Sequence, residues 1–146
     1  MPKIFGTSLL GILLATVAFF MVGALFYGAL FGEQWMASNN LTEATTTAIM
    51  ENQGLMFWVW ALLIPLLQVL GIAYVINHAG ASKLLTCIKI GATIAVLFAL
   101  PVLAYDHLYA GKALMALKID FGHVLVGYIV ASAVLSFFRG KDAIGN

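Results

Sequence analysis

Charge is what this chain has least of. Lys and Arg number seven and Asp and Glu six in 146 residues, so charged side chains make up 9% and the formal net charge is +1. Soluble domains carry about 25% charged residues, and a domain of this length cannot hide the remainder from water. The small net charge leaves no basic stripe and no RNA-binding signature, which excludes nucleic acid as a partner. There is one cysteine, Cys87, hence no internal disulfide. Set among apolar residues, it reads as a small packing residue. Ionisable side chains are also missing from the middle of the apolar runs, where a proton-coupled transporter keeps one. The first run has no carboxylate of the kind used by small four-helix multidrug exporters. The only arginine, Arg139, stands at the end of the last run. A four-helix glutathione-type enzyme would want several to hold its anionic cofactor. No nucleophile stands beside a base in a recognisable pattern. The expectation is therefore no enzyme, no catalytic residue and no cofactor.

What is present is hydrophobic sequence, 63% of the chain. It falls into four stretches, each near or above the ~20 residues that cross a bilayer core. They predict helices over about 4–31, 55–77, 84–105 and 113–138, in one membrane domain spanning 1–146. The fold class is all-α, a four-transmembrane-helix bundle. Lys89 lies in the first turns of the third helix and must snorkel. The first stretch, with Lys3 before it and alanines within it, has the outline of a signal peptide, but it is far longer than a signal core. It is expected to stay as a helix.

Basic residues set the expected orientation. Lys3, Lys83, Lys89, Arg139 and Lys141 fall on the side of the termini, and Lys112 and Lys118 on the other. Five of the six acids, Glu33, Glu43, Glu51, Asp106 and Asp120, are also on that other side. Both termini are thus expected in the cytoplasm, with an outer loop over 33–54. Within that loop, Asn40 or Thr42 is placed to cap a short helix that Gly54 closes. The turn Asn77–Ser82 makes helices two and three antiparallel neighbours.

Lipid tails are as apolar as leucine, so membrane helices associate through close packing at small residues. Three helices carry stripes at one-turn spacing: Ala24, Gly28 and Gly32; Gly91, Ala95 and Ala99; Gly127 and Ala131. These are the candidate packing residues, within one chain or between chains. Trp35, Trp58, Trp60, Tyr105 and Tyr109 form an outer aromatic belt. Tyr27 and Tyr128 lie deeper, placed to hydrogen-bond across helices. Pro65 and Pro101 interrupt helices two and three. Gln68 is placed to bond the carbonyl that Pro65 frees.

One polar concentration remains, at the outer ends of helices three and four: Asp106, His107, Lys112, Lys118, Asp120 and His123. Asp120 and His123 are three apart and share a helix face. With His107 they form a weak candidate metal site. Haem would need His107 opposite His123, but His107 falls past the expected helix end.

The stretch "VGALFYGALFGEQWM", followed by "LTEA", resembles the bacterial membrane family catalogued as domain of unknown function 1761. Gly23, Ala24, Leu25, Tyr27, Gly28, Leu30, Phe31, Gly32 and Trp35 fit its first-helix motif. Phe26 stands where Trp is common and Ala29 where Pro is common, so the helix is expected to run on unkinked. His123 matches a histidine near the outer start of the family's last helix. The resemblance implies the four-helix topology and a multi-pass protein of the bacterial inner membrane, and brings no activity with it. The leading expectation is a non-catalytic accessory or self-associating subunit, touching lipid and protein partners through its small-residue faces. The alternative is a solute or ion pathway lined by Tyr27, Pro65, Gln68 and Tyr128, or a metal or haem carrier using His107, Asp120 and His123.

Overall fold

The computed structural model describes residues 2–139; Lys141, counted above for orientation, lies outside them. A short antiparallel hairpin, β1 (Lys3–Ile4) and β2 (Thr7–Ser8), comes first. It turns through Phe5 and Gly6, at φ 49° and 71°. The first long helix therefore starts at Leu9 and not at Ile4. Ser8 caps it, its hydroxyl accepting from the Gly11 N–H at 3.2 Å. The helices are α1 (Leu9–Leu30), α2 (Gly32–Ser38), α3 (Glu43–Gln53), α4 (Leu55–His78), α5 (Leu84–Ala110) and α6 (Leu114–Phe137). Four of them, α1, α4, α5 and α6, are long and apolar enough to cross a membrane. The expected all-α, four-span bundle is the fold.

Two of the long helices widen into π turns. In α1 the wide turn covers Leu25–Leu30 and ends as the Phe31 N–H bonds the Phe26 carbonyl at 2.8 Å. The chain then breaks and restarts as α2. The unkinked continuation expected from Ala29 does not occur. Gly32 makes the break without a proline: a Cβ there would strike the Tyr27 carbonyl oxygen. In α5 the wide turn, Ala95–Ala99, comes just before Pro101. Proline has no N–H and its ring crowds the carbonyl four residues back. The Leu100 N–H reaches the Ala95 carbonyl instead. The helix then passes Tyr105 and runs to Ala110, where Gly111 at φ 67° ends it. His107 accordingly lies in the last turns of α5, not past its end.

The helix α6 is central, packed between α1 and α5, while α4 rests mainly on α1. Glycines permit these seams. A Cβ on Gly91 would overlap the Ser132 hydroxyl, and one on Gly127 would overlap the Phe19 ring. Ala95 and Ala131 are fully buried in the same core. Gly28 is different: nothing lies within 4 Å of where its Cβ would be.

The two ends of the described chain meet. The Ser8 N–H bonds the Phe138 carbonyl at 3.2 Å, and Thr7 bridges Arg139. The Arg139 Nη2 reaches Asn77 Oδ1 at 3.5 Å. Packing is concentrated at this terminal end. The buried residues of α1 stop at Val22, those of α4 begin at Pro65, and those of α5 stop at Ala95. Only α6 is buried on one face along most of its length, from Ala116 to Leu135. Away from the termini, at the distal end, α1, α4 and α5 lose their buried faces, although α2 and the end of α5 still touch α6.

Candidate functional site: a polar network at the mouth of the distal cleft

The site begins with the π turn of α1, which carries Tyr27 to α6. The Tyr27 hydroxyl donates to Asp120 Oδ1 at 2.7 Å. From α2, the Trp35 indole N–H donates to the same oxygen at 2.9 Å. The two rings lie edge to face, with centroids 5.3 Å apart. The break at Phe31 is what turns α2 so that Trp35 reaches back. One turn further along α6, His123 Nδ1 lies 3.4 Å from the Tyr27 hydroxyl. The imidazole stacks on Phe19, with centroids 5.3 Å apart and planes 29° apart. Asp120 and His123 thus share a face of α6, and that face looks at α1.

Beside this network is a cleft of about 390 Å³ between α1, α4 and α6. Phe19, Phe20, Phe57 and Trp58 supply aromatic walls, and Tyr27, Gln68 and His123 supply the polar groups. Its α4 wall faces outward, with Trp58 56% and Ile64 51% exposed. A second space of about 650 Å³ continues from it under α3, past Trp35, Met50, Gln53 and Trp60. Both spaces touch Tyr27, Phe57, Ala61 and Ile64. Thr42 starts α3 through a reciprocal cap with Thr45, and Thr46, Ile49, Met50 and Gln53 of that helix line the second space. Volumes of this size are those of small-molecule sites, which are mostly apolar with a few placed polar groups. On the other side of α4, Gln68, Gly71, Phe98 and Tyr128 line a further space of about 310 Å³.

The polar cluster expected from sequence separates into two groups. Asp120 and His123 join Tyr27 and Trp35. Asp106 and Lys112 form an exposed ion pair at 2.6 Å, and His107 Nδ1 bonds the Lys112 carbonyl, also at 2.6 Å. The two groups meet only across a void of about 10 Å³ walled by Asp106, His107 and Asp120. Among the described residues no three His, Cys, Asp or Glu side chains stand as a metal-binding set. Of the proposed packing residues, Gly91, Ala95, Gly127 and Ala131 lie in seams of this chain. Ala24 lines the cleft, Gly28 is open and Gly32 makes the break.

Sequence reasoning placed Trp35 in a belt and missed its bond to Asp120. A clue was available: Tyr27 and Trp35 stand two turns apart beside Gly32, which allows a change of direction between them. The pairing of Phe19 with His123 had no sequence signal.

A family model described as a protein of unknown function, DUF1761, matches residues 10–136. The chain belongs to this family. The matched span runs through all four long helices of this DUF1761 member and includes every residue of the polar network. No curated protein and no solved structure matches the chain.

Proposed function

We propose that this DUF1761 member is a non-catalytic, multi-pass membrane protein that holds a small, largely apolar molecule from the bilayer in its distal cleft. One observation carries the reading. The cleft of about 390 Å³ is walled by aromatic rings, opens beside exposed α4 residues and has Tyr27, Gln68 and His123 at its polar edge. Water filling such a space would find few partners, whereas a lipid-soluble molecule would meet rings on several sides. By the bias of basic residues, the terminal end faces the cytoplasm of a bacterial inner membrane, and the cleft opens toward the outer leaflet.

The test is retention. The protein is extracted into nanodiscs with its native lipids, and the molecules it keeps through exchange into a synthetic lipid are quantified. Wild type is expected to keep one molecule per chain. Ala61→Trp, which fills the wall common to both spaces, is expected to keep none. Equal retention by the two proteins, or none by wild type, sinks the reading.

A second reading is an accessory or self-associating subunit that contacts a protein partner through a small-residue face. The open space over Gly28 favours it, because a neighbouring helix could approach closely there.

A further inference from the structure

The hydrogen bonds around Tyr27 fix which nitrogen of His123 is free, and that decides the ligand's headgroup. Trp35 Nε1 can only donate, so Asp120 Oδ1, which it meets at 2.9 Å, is an acceptor. The Tyr27 hydroxyl has one proton and spends it on that same oxygen at 2.7 Å. Its contact with His123 Nδ1 at 3.4 Å therefore has one sense left: the imidazole N–H donates and the tyrosine oxygen accepts. A neutral imidazole protonated on Nδ1 carries a bare lone pair on Nε2.

That lone pair is at the cleft. His123 lines it, and the position a Gly23 Cβ would occupy is 3.1 Å from Nε2. Glycine at 23 thus lets α1 pass beside the nitrogen without a side chain over it, at the edge of the cleft that Gly23 and His123 both line. Phe19 holds the ring by stacking, so the nitrogen cannot readily turn to another partner. An acceptor held in an apolar space is costly to leave unmade.

We infer that the occupant is an amphiphile with a hydroxyl headgroup, of the alkylphenol or lipid-alcohol type, which donates its O–H to His123 Nε2 while its apolar body lies among Phe19, Phe20, Phe57 and Trp58. Tyr27 and Asp120 act as positioning residues: they set the tautomer and do not touch the hydroxyl. This inference rests on the cleft reading above and narrows it to a headgroup.

The experiment compares para-nonylphenol with its methyl ether, which has nearly the same shape and no proton to give. Each is equilibrated by dialysis between protein-loaded and empty nanodiscs, and the excess in the loaded discs is measured. Wild type is expected to prefer the phenol about tenfold, the size of one neutral hydrogen bond gained and one acceptor left unpaired. His123→Phe keeps a stacking ring without the nitrogen and is expected to bind both probes equally, at the wild-type ether level. Ala61→Trp is expected to bind neither. Equal binding of both probes by wild type overturns the headgroup assignment and leaves the cleft reading standing. A preference that persists in His123→Phe overturns it as well. Excess of neither probe in wild type sinks both readings. Should His123→Phe fail to fold, imidazole-labelled wild type decides: the His123 Nε2 resonance must report an unprotonated nitrogen and shift with the phenol but not with the ether.

Discussion

The terminal and distal halves of this bundle are built from similar residues and packed differently. In the terminal half, Ile12, Ile72, Ile76 and Leu135 are all at most 2% exposed. In the distal half, Leu62, Leu97, Val102 and Leu108 are all more than half exposed. The difference is not one of hydrophobicity. Lipid solvates a leucine as well as a neighbouring helix does, so packing in a membrane depends on how closely backbones approach. Gly11, Gly91 and Gly127 permit that approach in the terminal half and in the middle of α6. In the distal half Gly23 and Gly122 face only side chains, His123 and Phe26, and α4 presents Phe57, Trp58 and Trp60. Trp58 and Trp60 are more than half exposed, and these rings line the open spaces beside α4; nothing in lipid forces such a gap to close. Polar bonds, from Tyr27 and Trp35 to Asp120, replace packing there.

The largest test of this contrast is truncation of one large side chain in each half. Ile12→Ala is expected to cost about 2–5 kcal/mol of stability, as for other buried aliphatic side chains. Leu62→Ala, 51% exposed to lipid, is expected to fall within about 0.5 kcal/mol of wild type. Reversible unfolding in mixed micelles measures both. Similar losses at the two positions would break the contrast.

Overpacking and bond removal come next. Gly91→Leu forces a side chain into the Ser132 hydroxyl and the Tyr128 carbonyl, at an expected cost of about 1–3 kcal/mol or more. Asp120→Ala leaves the Trp35 N–H and the Tyr27 hydroxyl without their acceptor. Its expected cost is about 1–3 kcal/mol, and its signature is local. Amide exchange should speed up in α2 and the end of α1 while the terminal half stays protected. Uniform loss of protection would show that Asp120 supports the whole bundle.

These predictions also mark how far the sequence could be read. The four spans follow from apolar length alone, and they are the spans of the fold. Seams at Gly91 and Gly127 follow from small-residue spacing because backbone approach is local chemistry. Boundaries set by special backbone geometry did not follow. Gly6 turns a hairpin out of what reads as the first apolar run. Gly111, not Tyr105, ends α5, which brings His107 inside the helix. Gly32 carries the same letter as a packing glycine, but it serves a break, because its Cβ position meets Tyr27's own carbonyl. The candidate site was half legible. Asp120 and His123 share a face by spacing, whereas their partners Tyr27, Trp35 and Phe19 are distant in sequence. The cleft was legible in its lining, since Tyr27, Pro65 and Gln68 of the expected pathway line it and Tyr128 lines the space across α4, but not in its shape, because a gap between helices depends on how they splay and not on any one residue.

The smallest expected effect is the most discriminating for function. Gly28 lies on a one-turn stripe with Ala24 and Gly32 and has open space over it. If the distal half meets only lipid and a small ligand, Gly28→Leu adds a side chain to lipid. Stability should then change by less than about 0.5 kcal/mol, or rise slightly, because glycine within a helix costs about 0.5–1 kcal/mol relative to alanine. The protein should also migrate unchanged in native gels of mild-detergent extracts. If a second helix seats on that face, the added leucine separates the two backbones, and a larger species present in wild type should disappear. A Gly28→Cys variant sharpens the outcome. Oxidation in native membranes should give no cross-linked dimer in the first case and an efficient one in the second. A monomer that tolerates Gly28→Leu and resists cross-linking would make the parting of the distal helices a property of the chain itself.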